Sequence, residues 1–426
     1  MKKFYAAFSC LSLLAIFVVF IQGCLKDTVE GEQRYTIYTP IFKTLQEVRS
    51  EVALSAPITV GYPGKIYIKG DYLFVTEIGR GIHVFDNINP SSPNNIGFIK
   101  VPSNMDVAVK NNALYADMYK DLITIDITDP KNAKLKTVTE DVFTDKYIWY
   151  LNKDKVIAGY EKRDTVVYST KDAVPKPGER WIEFDNVSQS FGTASTDGGF
   201  FAAPTVYGTG GSMARFAALQ DRLYTVGNTS LGVFNIADDY NPSFVTRKNL
   251  GWGIETIFPF KNNLFVGTTT GVKILSLSNP DNPAELATYE HFRRCDPVVA
   301  NDNYAFSTLR AGVACGGNPI ESSLHILSIE NITNPKLVKS YNMENPYGVG
   351  LDGNTLFVCD GTAGLKVYDA SDVTNLKLLN TIKNIEPTDI IAINGLAIVV
   401  DKNAIYQYDY KNINNIKLLS TTKLNK

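Results

Sequence analysis

The chain has 426 residues, enough for two or three ordinary domains or one large repeat array. Its formal net charge of −2, with no long block of like charge, argues against nucleic acid or another polyelectrolyte as a partner. Hydrophobic residues make up 44% and aromatic residues 11%, so a large core can be built.

The first element is a targeting segment. Lys2 and Lys3 precede an apolar run from Phe4 to Ile21, followed by Gln22-Gly23-Cys24. A basic start, an apolar stretch and small residues before a cut describe a secretory signal over residues 1–23. The run is also about long enough to cross a bilayer, so a transmembrane anchor is the competing reading. Cys24 behind Ile21-Gln22-Gly23 resembles the bacterial lipobox, in which cleavage leaves an acylated Cys at the new N-terminus. That resemblance implies a membrane partner reached through lipid, each buried methylene adding about 0.8 kcal/mol. Leu25-Lys26-Asp27 follows. The absence of Asp directly after the Cys, together with the Lys-acid pair, resembles tags that send lipoproteins to the outer surface of some Gram-negative groups. The expected location is therefore the outer membrane, lipid-anchored.

Residues 24–62 read as a tether and lead-in, with strand-like Tyr and Ile after Arg34 and a short helix between Leu45 and Leu54. Repeats then fill 63–426. Anchored on the first apolar residue after a turn, they begin at Leu73, Leu114, Val156, Leu223, Leu264, Tyr304, Leu356 and Leu396. Successive anchors lie 41, 42, 67, 41, 40, 52 and 40 residues apart. A period near 40 with four short strands per unit is the signature of a β-propeller blade. The prediction is an all-β, single β-propeller of four-stranded blades, eight in number, with seven as the alternative because the third unit departs from the pattern. Insertions fall at 171–211 and 310–322.

Within a unit, an inner strand leads into a turn rich in Gly, Asn and Asp, such as Gly70-Asp71, Asn111-Asn112 and Gly353-Asn354. These residues tolerate the positive φ that tight hairpins need. The third strand ends in Asp or a stand-in at Asp86, Asp126, Asn235, Ser276, Ser328, Asp369 and Asp409. A polar residue recurring once per blade before a turn is an Asx-type cap, not a catalytic group.

The third-strand signature, as in Gly364-Leu365-Lys366-Val367-Tyr368-Asp369, resembles the LVIVD-repeat family of bacterial β-propellers, over nearly all of residues 64–420. Three stretches are similar to its lipoprotein members: 208–216, Gly251-Trp252-Gly253-Ile254-Glu255-Thr256, and Arg294-Cys295-Asp296-Pro297-Val298-Val299. The family implies a propeller at the cell envelope and no established reaction.

No zinc spacing, nucleophile elbow or phosphate loop is present. His83 and His325 occupy the repeat phase of Lys366 and read as ordinary strand positions, and His291 precedes an inner strand. In a propeller, second-to-third-strand loops and the connections into inner strands share one face. The unusual residues fall in those two classes: Trp252, His291, Arg293 and Arg294 before inner strands, Arg310 and Asp360 at loops after second strands. Decoration of one rim marks a binding face, unless insertions simply accumulate where they are tolerated. Six inner strands also place a charge at a common level: Lys65, Asp106, Arg215, Glu255, Asp296 and Asp389. An isolated buried ion is costly, so these form an ion-paired ring, line a wet channel, or hold a cation. Among the cysteines, Cys295 and Cys315 lie on the same face of one repeat and are expected to form a disulfide, leaving Cys359 reduced.

The function expected is a non-catalytic binding module that takes a protein or glycan ligand on the decorated face and the central channel, with no cofactor and no metal. A hydrolase or lyase working in the central pocket is one alternative, for which Glu255, Asp296, Arg215 and His291 are the nominees. A structural subunit of an outer-membrane complex is another, and would expose a large apolar rim.

Overall fold

Short β-branched and aromatic runs, punctuated by Gly, Asn and Asp, fold into antiparallel ladders stacked side by side. The structure, a computed structural model, describes residues 33–144, 155–167, 176, 179–183, 209–291, 297–311 and 322–424. These form seven blades of four strands each, at 63–100, 107–139, 216–249, 254–290, 298–342, 349–382 and 387–423. We number them blades 1 to 7. Every blade is drawn from consecutive strands, and the innermost strands pack in a ring that brings blade 7 back onto blade 1.

Among the described residues there is no eighth blade, and the count is the alternative of seven. Val156 belongs to one long strand, Lys155–Val167, which joins Gln33–Thr44 and Arg180–Glu183 in a separate three-stranded sheet. Its apolar residues share the phase of a second strand, but the strands that share its sheet belong to none of the blades. In that sheet the Thr36 hydroxyl donates to Asp164 at 2.9 Å.

The lead-in supplies a six-residue helix, Leu45–Ser50, with a reciprocal capping box between Thr44 and Glu47. The strand Ala53–Ser55 then extends blade 1 on its outer edge.

Second strands such as Ala113–Met118 are buried throughout because neighbouring blades cover both faces. Outermost strands such as Lys336–Asn342 are mostly exposed. Their pairing with the third strand carries a register shift in all seven blades, for example between Val84 and Phe85 and between Gln407 and Tyr408. A bulge there twists an otherwise open edge away from further pairing. The recurring third-strand residues cap turns as expected. Asp86, Asp126, Asn235, Ser276, Asp369 and Asp409 each accept from the backbone N–H two residues on.

The seam between the last and first blades is made of side chains. Asn87 and Gln407 exchange two hydrogen bonds, at 3.0 and 2.7 Å, and both are buried. The Ser420 hydroxyl donates to the Pro90 carbonyl at 2.7 Å.

Candidate functional site

The axis of the ring is filled by backbone. Residues 209–214, at the end of the long insertion, run along the innermost strands. Thr209 and Gly210 pair with Ile68 and Tyr67 of blade 1, and the Gly211 N–H donates to the Ile66 carbonyl at 2.7 Å. Ser212 N–H donates to Ile390 of blade 7 at 3.2 Å, and the Ser212 hydroxyl donates to Asp389 Oδ1 at 2.6 Å while accepting from Val349 N of blade 6 at 3.1 Å. The Ala214 carbonyl accepts from Ile257 N of blade 4 at 3.0 Å, and the Arg215 N–H donates to Asp106 of blade 2. Gly211, Ser212, Met213 and Ala214 are all buried. The small residues are required: a Cβ on Gly211 would lie 2.2 Å from Asp389 Oδ2, and one on Gly348 would lie 2.3 Å from Ser212 Oγ.

This plug determines where the predicted charges go. Lys65, Asp106 and Asp389 sit buried at the starts of their inner strands. Burial pushes Asp106 up to about 6, against the opposing pull of Lys65 and of the Arg215 and Val107 amides. Asp389 is held by Ser212 and by Ile390 N at 2.8 Å. Arg215 points instead toward the loops between blades 3 and 4. Its Nη2 donates to the Gly227 carbonyl at 2.9 Å, the Ile254 carbonyl at 3.1 Å and Asn228 Oδ1 at 3.3 Å.

Arg215 thereby connects two openings on the loop face. A small cavity of about 60 Å³ lies over Met105, Asp106, Asp117 and Phe143. A larger cleft of about 190 Å³ is lined by Arg215, Asn228, Trp252, Gly253, Ile254 and Glu255. Trp252 is 82% exposed, yet its loop is pinned. Gly251 and Gly253 adopt φ of 92° and 79°, which favour glycine. The Gly253 N–H donates to the Asn228 carbonyl at 3.1 Å, and its own carbonyl accepts from Thr269 N at 2.7 Å. Asn228 was not singled out from the sequence. The signal was available: blade 3 places Gly227-Asn228 where blade 1 carries Glu77 and blade 6 carries Asp360.

Those carboxylates hold the connecting loops. Asp360 is fully buried and accepts from the Glu344 and Asn345 amides at 2.8–3.2 Å and from Lys366 Nζ at 2.6 Å. In blade 1, Glu77 accepts from Gly61 N at 2.9 Å, Tyr62 N at 3.1 Å and Arg80 Nη1 at 3.1 Å, and pairs with His83 Nε2 at 2.9 Å. Burial alone would raise Glu77, but the bonds from His83 and the two amides outweigh it and bring it down to about 2. Asp117 and Asp401 play the same part in blades 2 and 7. Asp360 is thus a loop clamp.

Arg310 stacks over the Tyr347 ring, 4.0 Å from its centroid. His291 is half-buried beside Tyr289 and His325, and it is not among the residues lining the cleft. Cys24, Arg293, Arg294, Cys295, Asp296 and Cys315 lie outside the described residues. Cys359 is buried and unbridged, and burial raises its thiol well above the usual range. Among the described residues no group of three or more His, Cys, Asp or Glu is gathered as a metal ligand set.

Comparison with known proteins agrees with this architecture. The LVIVD repeat matches residues 60–100 and 103–139. The chain carries LVIVD repeats. Each match spans the connecting loop plus one complete blade, so the LVIVD unit and the blade coincide in blades 1 and 2. No curated protein matches. A functionally unknown protein from Desulfotomaculum acetoxidans is similar at 11% identity and a TM-score of 0.51, over 85% of this chain and 95% of that one. The computationally designed Ika8 protein is similar at 9% identity and a TM-score of 0.50, over 88% of each chain. At such identities the likeness speaks for the fold alone.

Proposed function

We propose that this LVIVD-repeat propeller is a binding module of the bacterial cell envelope, tethered by lipid on Cys24 at the outer membrane and working through its loop face. The observation that carries the reading is the pinned, exposed Trp252 beside the Arg215–Asn228–Glu255 cleft. Exposing a large aromatic on a fixed loop has no folding benefit, since its hydrophobic stabilisation is forgone. Rings presented in this way supply contact area at low entropic cost when a ligand docks. Because the axis is plugged at the level of Ser212, the ligand approaches from the loop side and stops there. A fold shared with many activities does not name the ligand, so the site must.

The test is a thermal-shift screen of peptides, glycans and divalent metals against the full chain in detergent and its Trp252→Ala variant. A ligand that raises the midpoint of the wild type and not of the variant supports the reading. Ligands that shift both proteins equally would move the function away from this cleft.

A further inference from the structure

We infer that the cleft takes a neutral pyranose, the terminal unit of a glycan, with its apolar ring face on Trp252. This inference rests on the cleft being the ligand site. Three features select the chemistry. The first is the lone ring. In the described top-face loops of blades 3 and 4, Trp252 is the one exposed large apolar side chain. A protein partner is anchored by a cluster of such residues at the centre of a broad patch. A sugar needs one flat aromatic face, against which its C–H bonds, positive at their outer ends, meet the negative π surface.

The second is the mixture of hydrogen-bonding groups. Of the polar residues that line the cleft, Arg215 is by chemistry a donor only, Glu255 an acceptor only, and Asn228 both. Hydroxyl groups, each donor and acceptor at once, match that set. The opposed charges work against the competing ligands. A phosphate or carboxylate drawn to Arg215 meets Glu255, and an ammonium drawn to Glu255 meets Arg215. A neutral polyol avoids both penalties. The third is scale and rigidity. The cleft of about 190 Å³ suits one ring better than a drug-sized molecule, for which pockets run roughly 300–1,000 Å³. Arg215 is fixed by three hydrogen bonds and Gly253 by two, so little order is lost on binding.

The experiment places the full chain, in detergent, on an array of neutral, sialylated and sulfated glycans, alongside Trp252→Ala, Trp252→Phe and Glu255→Gln. The expected result is binding to neutral glycans, at least tenfold weaker in W252A, largely retained in W252F, weakened in E255Q, and competed by a soluble neutral methyl glycoside. Trp252 is exposed, so W252A should unfold at the wild-type midpoint. Binding confined to acidic glycans and strengthened in E255Q would overturn the inference, as would neutral-glycan binding that W252A leaves unchanged, or no glycan binding at all. A Trp252-dependent ligand that is not a glycan would overturn the sugar and keep the cleft. Absence of any Trp252-dependent ligand would remove both.

Discussion

The Ser212 hydroxyl donates to Asp389 Oδ1 across 177 residues of sequence, at 2.6 Å. One side chain of the plug thus fixes an inner strand of blade 7, and its oxygen receives Val349 N from blade 6. The contact leaves no room beside it. Gly211→Ala would drive a Cβ to within 2.2 Å of Asp389 Oδ2 and 2.7 Å of Ile66 Cγ1. Overpacking of this kind costs about 1–3 kcal/mol. Urea unfolding should show that loss, and an unchanged midpoint would mean that the plug does not occupy the axis.

Two buried carboxyls should give opposite pH dependences. Asp106 is raised from its ordinary 3.8 to about 6, so the folded state holds its proton more tightly than the unfolded state. Its stabilising contribution is full below 3.8 and is lost as pH rises through 6. Glu77 is lowered from 4.5 to about 2, so its contribution is present above 4.5 and is lost as pH falls through 2. Asp106→Asn should therefore gain on the wild type between pH 4 and 7, by about 2–3 kcal/mol at 1.36 kcal/mol per pKa unit. Glu77→Gln should lag by about 3 kcal/mol at neutral pH, with the gap closing in acid. Denaturant unfolding at several pH values reads both signs, and parallel curves for the two variants would refute the assignment.

The seam is testable by leaving one amide alone. Gln407→Ala strands the buried Asn87 side chain. An unsatisfied buried amide costs about 1–3 kcal/mol, whereas replacing both partners by apolar groups of similar shape is near neutral. Asn87→Leu combined with Gln407→Leu should thus recover much of what Q407A loses. Hydrogen exchange in blades 1 and 7 should rise in Q407A before it rises in blade 4.

Cys24→Ser should release the protein from membranes or stall its processing. Fractionation with and without the substitution checks this, and a normally cleaved variant that stays in the membrane fraction would refute lipid attachment at that position.

The blade was legible in the sequence because period and turn chemistry agree wherever it recurs. Gly70, Asn111, Gly353 and Asn394 all take the positive φ that their residue types announce. Val156 misled the count because alternating apolar residues describe any half-buried strand, whatever its partner. What a periodic reading cannot see is an aperiodic segment. Residues 209–214 are mostly small and carry no strand period, and Thr209-Gly210-Gly211 read as the end of an insertion that leads into an inner strand. Their two adjacent glycines, Gly210-Gly211, mark close backbone approach only once the neighbours are known. Arg215, Trp252 and Glu255 were reachable by counting inner strands and connections. Asn228 sits in a second-to-third-strand loop of ordinary length and composition, so that only its repeat phase, beside the level of Glu77 and Asp360, marks it.

Because the four strands of every blade are consecutive, the order in which the blades are joined is not written into their four-stranded ladders. Cutting the propeller between blades 4 and 5 and linking residue 423 back to residue 63 would leave the seven four-stranded ladders intact, giving up only the added edge strand Ala53–Ser55 of blade 1. Such a circular permutant keeps the seam as an ordinary connection and opens a new one elsewhere. What it cannot discard is residues 209–215, which tie blades 1, 2, 4, 6 and 7 to one another. In this molecule the rim can be recut, and the hub holds it round.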